Sequence, residues 1–308
     1  MANVLVEETS LSNIASAIRV KSGGSATYKP GEMAAAISNL PIGGNSEDEI
    51  LTRSGSGDYV NDRIEKLGGG AFYQTNYSTI TLSNVKVMDG ASIIRFNNNL
   101  TALNLPALTT ITCTYTEPSK SSVFGMQISN NASLTTLNLP NLTTISNSVA
   151  ASFAYNSNLV NISMPLLTTA NLREGFSHCT SLETVDLPSL QSSSNAYMTF
   201  RGCSSLQSVN LSNLTQWGSG NGREEGMFYT FYDCTNLQTV NLPNLTNAGR
   251  LDNTFYNCTN LQTVNLPNLT NATLGNGAFE NCVSLQTIEL KISNVYGGDI
   301  FRNCTSLT

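Results

Sequence analysis

Seven cysteines and a single histidine are the first candidates for chemistry in this 308-residue chain. A zinc or disulfide framework brings cysteines together in short pairs such as Cys-x-x-Cys, with a second ligand set nearby. Here Cys179, Cys203, Cys234, Cys258, Cys282 and Cys304 recur singly, at steps of 22–31 residues, and Cys113 stands apart. That spacing suits one slot of a repeat, in which a small buried thiol behaves as a hydrophobe. Disulfides and a metal site are the less favoured readings. His178 directly precedes Cys179, where the later cysteines are preceded by Gly202, Asp233, Asn257, Asn281 and Asn303. Such variety marks an exposed turn rather than a catalytic base, and no Ser-His-Asp or Cys-His arrangement assembles around it. Gly68-Gly69-Gly70 lacks the Lys-Ser/Thr that completes a phosphate loop. The expectation is a protein that is not an enzyme, with no cofactor and no metal.

Recognition is the other chemistry to look for. The segment Trp217-Gly-Ser-Gly-Asn-Gly-Arg-Glu-Glu-Gly-Met-Phe-Tyr229 holds the only tryptophan and a charge cluster. Aromatic and arginine side chains on a loop suit partner contact, so Trp217, Arg223, Glu224, Glu225 and Tyr229 are candidate partner-binding residues. A tolerated loop with Trp217 folded inward is the plainer alternative. Asn210, Asn241 and Asn265 recur at one strand position and are candidates too, for a glycan or a protein ligand. A merely solvated face fits them equally.

These residues must be positioned by a repeat. From about residue 71 the chain reads Phe-x-x-Cys-x-x-Leu-x-x-Val-x-Leu-Pro-x-Leu, as in Phe231/Cys234/Leu237/Val240/Leu242/Pro243/Leu245 and Phe255/Cys258/Leu261/Val264/Leu266/Pro267/Leu269. Toward the N-terminus the Cys slot becomes Asn156, Asn131 and Asn97. Nine Leu anchors, from Leu100 to Leu307, keep one frame, with steps of 22–25 broken by one of 34 and one of 31. A period of this size falls in the leucine-rich repeat range. Val240 and Leu242 alternate with Thr239 and Asn241, the pattern of a half-buried strand, and the following Pro ends it. No rung can bury its own apolar residues, so stacking must make one core, with Phe153, Phe176, Phe200, Phe231, Phe255, Phe279 and Phe301 as its spine. The predicted fold is a leucine-rich repeat solenoid of about nine parallel rungs with a small N-terminal α-helical module. The last residues, Phe301 to Thr308, leave a rung unfinished, which predicts either a longer array or an adjoining subunit, such as a second copy, on that face.

The first 70 residues hold 15 of the 36 charged side chains. Leu11, Ile14, Ala15 and Ile18, then Met33, Ala36, Ile37 and Leu40, are spaced as two short amphipathic helices. The division predicted is 1–44 as a helical attachment module, 45–70 as linker and cap lead-in, and 71–308 as solenoid. A net charge of −6 without a basic run argues against nucleic acid. No apolar stretch reaches membrane-spanning length, which argues against membrane insertion. The start has no basic region followed by an apolar run, so a secretory signal is not expected.

The array resembles the BspA-like, or treponemal-type, leucine-rich repeats, with Gly277-Ala278-Phe279-Glu-Asn-Cys282-Val-Ser-Leu285 a close match to their diagnostic string. That family includes bacterial surface adhesins and phage proteins. Ser10-Leu-Ser-Asn-Ile-Ala-Ser-Ala-Ile-Arg19 and Pro30-Gly-Glu-Met-Ala-Ala-Ala-Ile37 resemble a module at the front of tail and minor structural proteins of phages of Gram-positive bacteria. Asp58-Tyr-Val-Asn-Asp-Arg63 before Gly70-Ala71-Phe72 resembles their lead-in. The resemblance implies a virion tail protein made in the host cytoplasm. Residues 1–44 would dock to other tail proteins, and the array would present a surface to a host glycan or protein. A bacterial cell-surface adhesin is the alternative.

Overall fold

A computed structural model of the chain describes residues 56–114, 125–218, 226–292 and 294–308. The chain divides into two compact units, Met1–Ile42 and Gly43–Thr308, and the described residues all belong to the second. Each rung runs through three segments, and each segment hydrogen-bonds in parallel to its counterparts in the neighbouring rungs.

The first segment is the Leu-x-x-Val-x-Leu strand. Thr239–Asn241, Thr263–Asn265 and Thr287–Glu289 pair in register, as do Asn161–Ser163, Thr184–Asp186 and Ser208–Asn210. Their central residues point inward, with Val185, Val240 and Val264 buried. The second segment, after the proline turn, builds a ten-stranded parallel sheet from Lys66–Gly68 to Asn294–Val295. The third carries the Phe slot. Phe72–Tyr73, Ile94–Arg95 and Ile128–Ser129 pair there as short strands. Later rungs continue that ladder through turns, with Phe231 N donating to Thr254 O and Phe255 N to Ala278 O, both at 2.8 Å.

The spine forms as the repeat predicts. From Phe153 to Phe301 successive rings stack with centroids 5.0–5.5 Å apart and planes within 21° of parallel. Six of the seven are buried, each contributing about 1.5–3 kcal/mol by burial; Phe301 keeps 38% of its surface.

One hydrogen-bond problem is solved in two ways beside this spine. The carbonyl of each Phe slot accepts a donor from the next rung, since a carbonyl oxygen has two lone pairs to satisfy. Cys179, Cys203, Cys234, Cys258 and Cys282 supply it with their thiols, reaching the carbonyls of Phe153, Phe176, Phe200, Phe231 and Phe255 at 3.0–3.2 Å. In the earlier rungs Asn97, Asn131 and Asn156 do it with Nδ2, reaching Phe72, Ile94 and Ile128 carbonyls at 2.7–3.0 Å. Asn131 Oδ1 also accepts the preceding rung's Asn97 N–H at 3.0 Å, whereas in the cysteine rungs that backbone N–H turns to its own Phe carbonyl, as from Cys179 N to Phe176 O at 3.1 Å. All seven cysteines are free thiols. Burial pushes Cys179 and Cys282 up to about 12 and drives Cys203, Cys234 and Cys258 well above the usual thiol range.

The residue before that slot has a left-handed backbone throughout, with φ of +59° at His178, +71° at Gly202, +59° at Asp233 and +63° at Asn281. Asn, Asp and Gly adopt this region at least cost, which accounts for the variety seen in sequence. His178 stacks on Tyr155 at 4.9 Å and bonds Ser177 Oγ at 2.8 Å. Burial and the nearby Arg201 charge hold its imidazole below the ordinary value.

One expectation needs correcting. The fold is a parallel-strand β-solenoid of about ten turns, and the described residues contain no helix. A solenoid with a small N-terminal α-helical module is therefore not what the described chain supports; residues 1–44, where that module was placed, lie outside the described residues. In the segment expected as linker and cap lead-in, Ser56–Val60 pairs with Asn76–Thr81, and Lys66–Gly68 with Val87–Asp89.

Candidate functional site

Trp217 is fully buried. Its strand register places it opposite Ser193, whose small side chain leaves room for the indole. The indole stands edge-on to Phe200 and Phe231, at 6.2 and 5.7 Å. A side chain with no surface has nothing to offer a partner, so this burial fits the plainer reading, Trp217 folded inward. Arg223, Glu224 and Glu225 lie outside the described residues. Asn210, Asn241 and Asn265 are exposed, as expected. Their amides are engaged along the array, Asn210 Nδ2 on Asp186 Oδ1 at 2.7 Å and Asn265 Nδ2 on Asn241 Oδ1 at 2.8 Å.

Tyr229 is half-exposed and belongs to a different arrangement, on the third side of the rungs. Four tyrosines there are linked ring to ring. Tyr197 meets Tyr229 edge-on at 6.2 Å, Tyr229 tilts on Tyr232 at 5.5 Å, and Tyr232 stacks on Tyr256 at 4.7 Å. Guanidinium groups flank them, Arg173 over Tyr197 at 5.0 Å and Arg201 over Tyr232 at 5.6 Å. Burial, with the neighbouring Asp233 charge, raises the Tyr232 phenol above its usual value, so it stays a hydroxyl donor.

Beside this cluster lies a cleft of about 370 Å³ lined by Tyr197, Phe228, Tyr229, Arg250, Asp252, Asn253 and Asn276. Its fixed point is an ion pair. Arg250 donates through Nε and Nη2 to the two oxygens of Asp252, at 3.1 and 2.9 Å. Tyr296 adds its hydroxyl to Asp252 Oδ1 at 2.5 Å, while Phe228 and Tyr296 rings sandwich the guanidinium at 4.8 and 4.4 Å. Two glycines make the approach possible. A Cβ on Gly275 would run into the Asp252 carboxylate, and one on Gly226 would stand 2.5 Å from Arg250 N. The donors facing the cleft are less committed than its charges. Among the described residues the Asn253 carboxamide makes no hydrogen bond, and Asn276 uses only its oxygen, accepting from Gly298 N at 3.0 Å.

Of the described residues singled out in sequence, the structure brings only Tyr229 into this cleft. Tyr197, Phe228, Arg250, Asp252, Asn253 and Asn276 were missed. One signal was present: the position three before the Phe slot reads Tyr197, Phe228, Asp252 and Asn276 in consecutive rungs, so aromatic and polar residues share one slot.

Comparison with known proteins bears on the family. No curated protein matches the chain. Among solved structures, a leucine-rich repeat protein from Bacteroides ovatus is 20% identical, with 81% of this chain and 76% of that chain covered and a TM-score of 0.41. One from Eubacterium ventriosum is 18% identical, covering 82% and 77%, with a TM-score of 0.36. The T. pallidum leucine-rich repeat protein is 16% identical, covering 75% and 78%, with a TM-score of 0.33. The family model described as BspA type leucine rich repeat region matches six copies over residues 121–221 and 227–308, more than half of the chain. Those spans carry the stacked Phe slots and the Cys ladder, and the chain belongs to the BspA-type leucine-rich repeat family.

Proposed function

We propose that this BspA-type repeat protein is a non-enzymatic recognition protein, whose array presents a binding surface to a glycan or protein on a cell. The observation that carries this reading is the tyrosine-lined cleft. Four linked tyrosines, a pinned Arg-Asp pair and uncommitted carboxamides on one side of a rigid stack are what recognition of a ligand needs. Against catalysis stands the state of the nucleophiles: the five ladder thiols from Cys179 to Cys282 are buried, hydrogen-bonded and held in the neutral form.

A bacterial surface adhesin is one setting compatible with the family. A tail-associated host-recognition role in a virion is the other, favoured by the resemblance of segments 10–37 and 58–72 to the front of phage tail proteins. In that setting residues 1–44 contact other virion proteins. Neither setting calls for a nucleic-acid partner or membrane insertion. Fluorescently labelled chain is expected to adsorb saturably to Gram-positive bacterial cells. Adsorption that rises linearly without saturation, on every cell type tried, would contradict recognition. Antibody raised against the chain then separates the settings, decorating either phage tails or the bacterial surface in electron micrographs.

A further inference from the structure

We infer that the cleft between Tyr197, Tyr229 and the Arg250–Asp252 pair is a subsite for a neutral saccharide ring. The inference rests on the recognition reading above and gives it a ligand class. A sugar ring has two kinds of surface, an apolar face of C–H groups and a rim of hydroxyls that both donate and accept. The cleft supplies a partner for each. Tyr197 and Tyr229 stand at 84° to one another, giving two aromatic surfaces against which C–H groups pack. Asn253 and Asn276 bring amide N–H groups that make no hydrogen bond among the described residues, and amides pair with hydroxyls in either direction. The volume of about 370 Å³ lies toward the lower end of small-molecule sites.

Charge decides between a neutral and an acidic sugar. Arg250, the one cation among the described residues that line the cleft, has its Nε and Nη2 donors engaged by Asp252. A carboxylate or sulfate on the ligand would have to displace Asp252, whose side chain is only 6% exposed and is held a third time by Tyr296. Leaving that carboxylate buried without its partner is costly. A neutral hydroxyl meets no such penalty. It finds a pair already balanced in charge, with lone pairs on Asp252 and the remaining guanidinium nitrogen within the same wall. The pair is also rigid, clamped between Phe228 and Tyr296, so little ordering is needed on binding.

The test uses the full 308-residue chain and immobilised polysaccharides in affinity electrophoresis: neutral mannan, galactan and β-glucan, with hyaluronate and dextran sulfate as acidic counterparts. At least one neutral polymer is expected to retard the chain saturably, and the acidic ones not. Tyr229→Asn, which keeps a residue tolerant of the left-handed backbone, is expected to weaken retardation about tenfold, and Asn253→Gly about threefold. Both variants should melt within a few degrees of the parent. Retardation by acidic polymers alone, or neutral retardation that both variants preserve, would overturn the inference. Cell adsorption without any polysaccharide binding would overturn it while leaving recognition of a surface protein standing; loss of both would take the recognition reading with it.

Discussion

The first and third sides of the same rungs differ in how far their polar groups are already spoken for. On the first side Thr, Ser and Asn repeat at fixed strand positions, and amides such as Asn265 bond the matching residue one rung back. Threonine hydroxyls do the same for backbone: Thr101 donates to Ser78 O at 3.0 Å and Thr135 to Thr101 O at 3.1 Å. The third side keeps the same backbone ladder but changes its side chains from rung to rung, and between Tyr197 and Asn276 the aromatic residues and open amides collect. Strict repetition satisfies itself. Recognition chemistry accumulates where the repeat departs from its own pattern.

The interior that both sides share gives the largest way to break this comparison. Unfolded thiols ionise near their ordinary pKa of about 9, whereas Cys179 and Cys282 hold their protons to about 12. Between those values the unfolded chain releases protons that the folded chain retains, so stability falls as pH rises. Thermal melting followed from pH 8 to pH 11 should show a steep drop in Tm, and the drop should shrink when a ladder cysteine is replaced by Ala. Next in size is Phe255→Ala, which removes a ring stacked on both neighbours, at 5.3 and 5.0 Å. It is expected to cost about 3–5 kcal/mol in chemical denaturation and to weaken both sides alike; an unchanged midpoint would refute the stacked spine.

Asn131→Ala tests the other version of the ladder. It strands the Ile94 carbonyl and the Asn97 N–H, both now bonded at 3.0 Å, for an expected loss of about 1–3 kcal/mol. The thiol in Cys234→Ala is a weaker donor and should cost less than Asn131→Ala. If the cysteine variant loses more, the two side chains are not doing equivalent work. The smallest effect belongs to the first side: Asn241→Ser should change stability by no more than about 0.5 kcal/mol, since its strand stays paired through the backbone.

Much of the fold was legible from the sequence because stacking forces one residue type into one slot. The Phe spine and the shared role of Cys and Asn follow from that constraint. Trp217 stayed open between a contact residue and one folded inward because its segment broke the period. Its register opposite Ser193, a buried residue, places it inside, and a size change between rungs is not visible to a pattern search. The cleft was illegible for a related reason. Tyr197, Phe228, Asp252 and Asn276 stand three positions before the Phe slot in four consecutive rungs, but that slot changes from aromatic to acid to amide, so no residue type marks it as the Phe and Cys slots are marked. The strands at 56–70 were hidden by their charge: Asp58 and Lys66 sit at exposed strand positions, where a charged side chain stays in water.

The most direct test of the division between the two sides is adsorption to Gram-positive cells by two sets of variants of the full chain. One carries Tyr197→Ala with Tyr229→Asn; the other carries Asn210→Ser, Asn241→Ser and Asn265→Ser. The account predicts that the tyrosine pair lowers affinity about tenfold or more while the asparagine set binds like the parent, with both folded. Undiminished adsorption by the tyrosine variant, together with loss in the asparagine set, would place recognition on the strand side and contradict it.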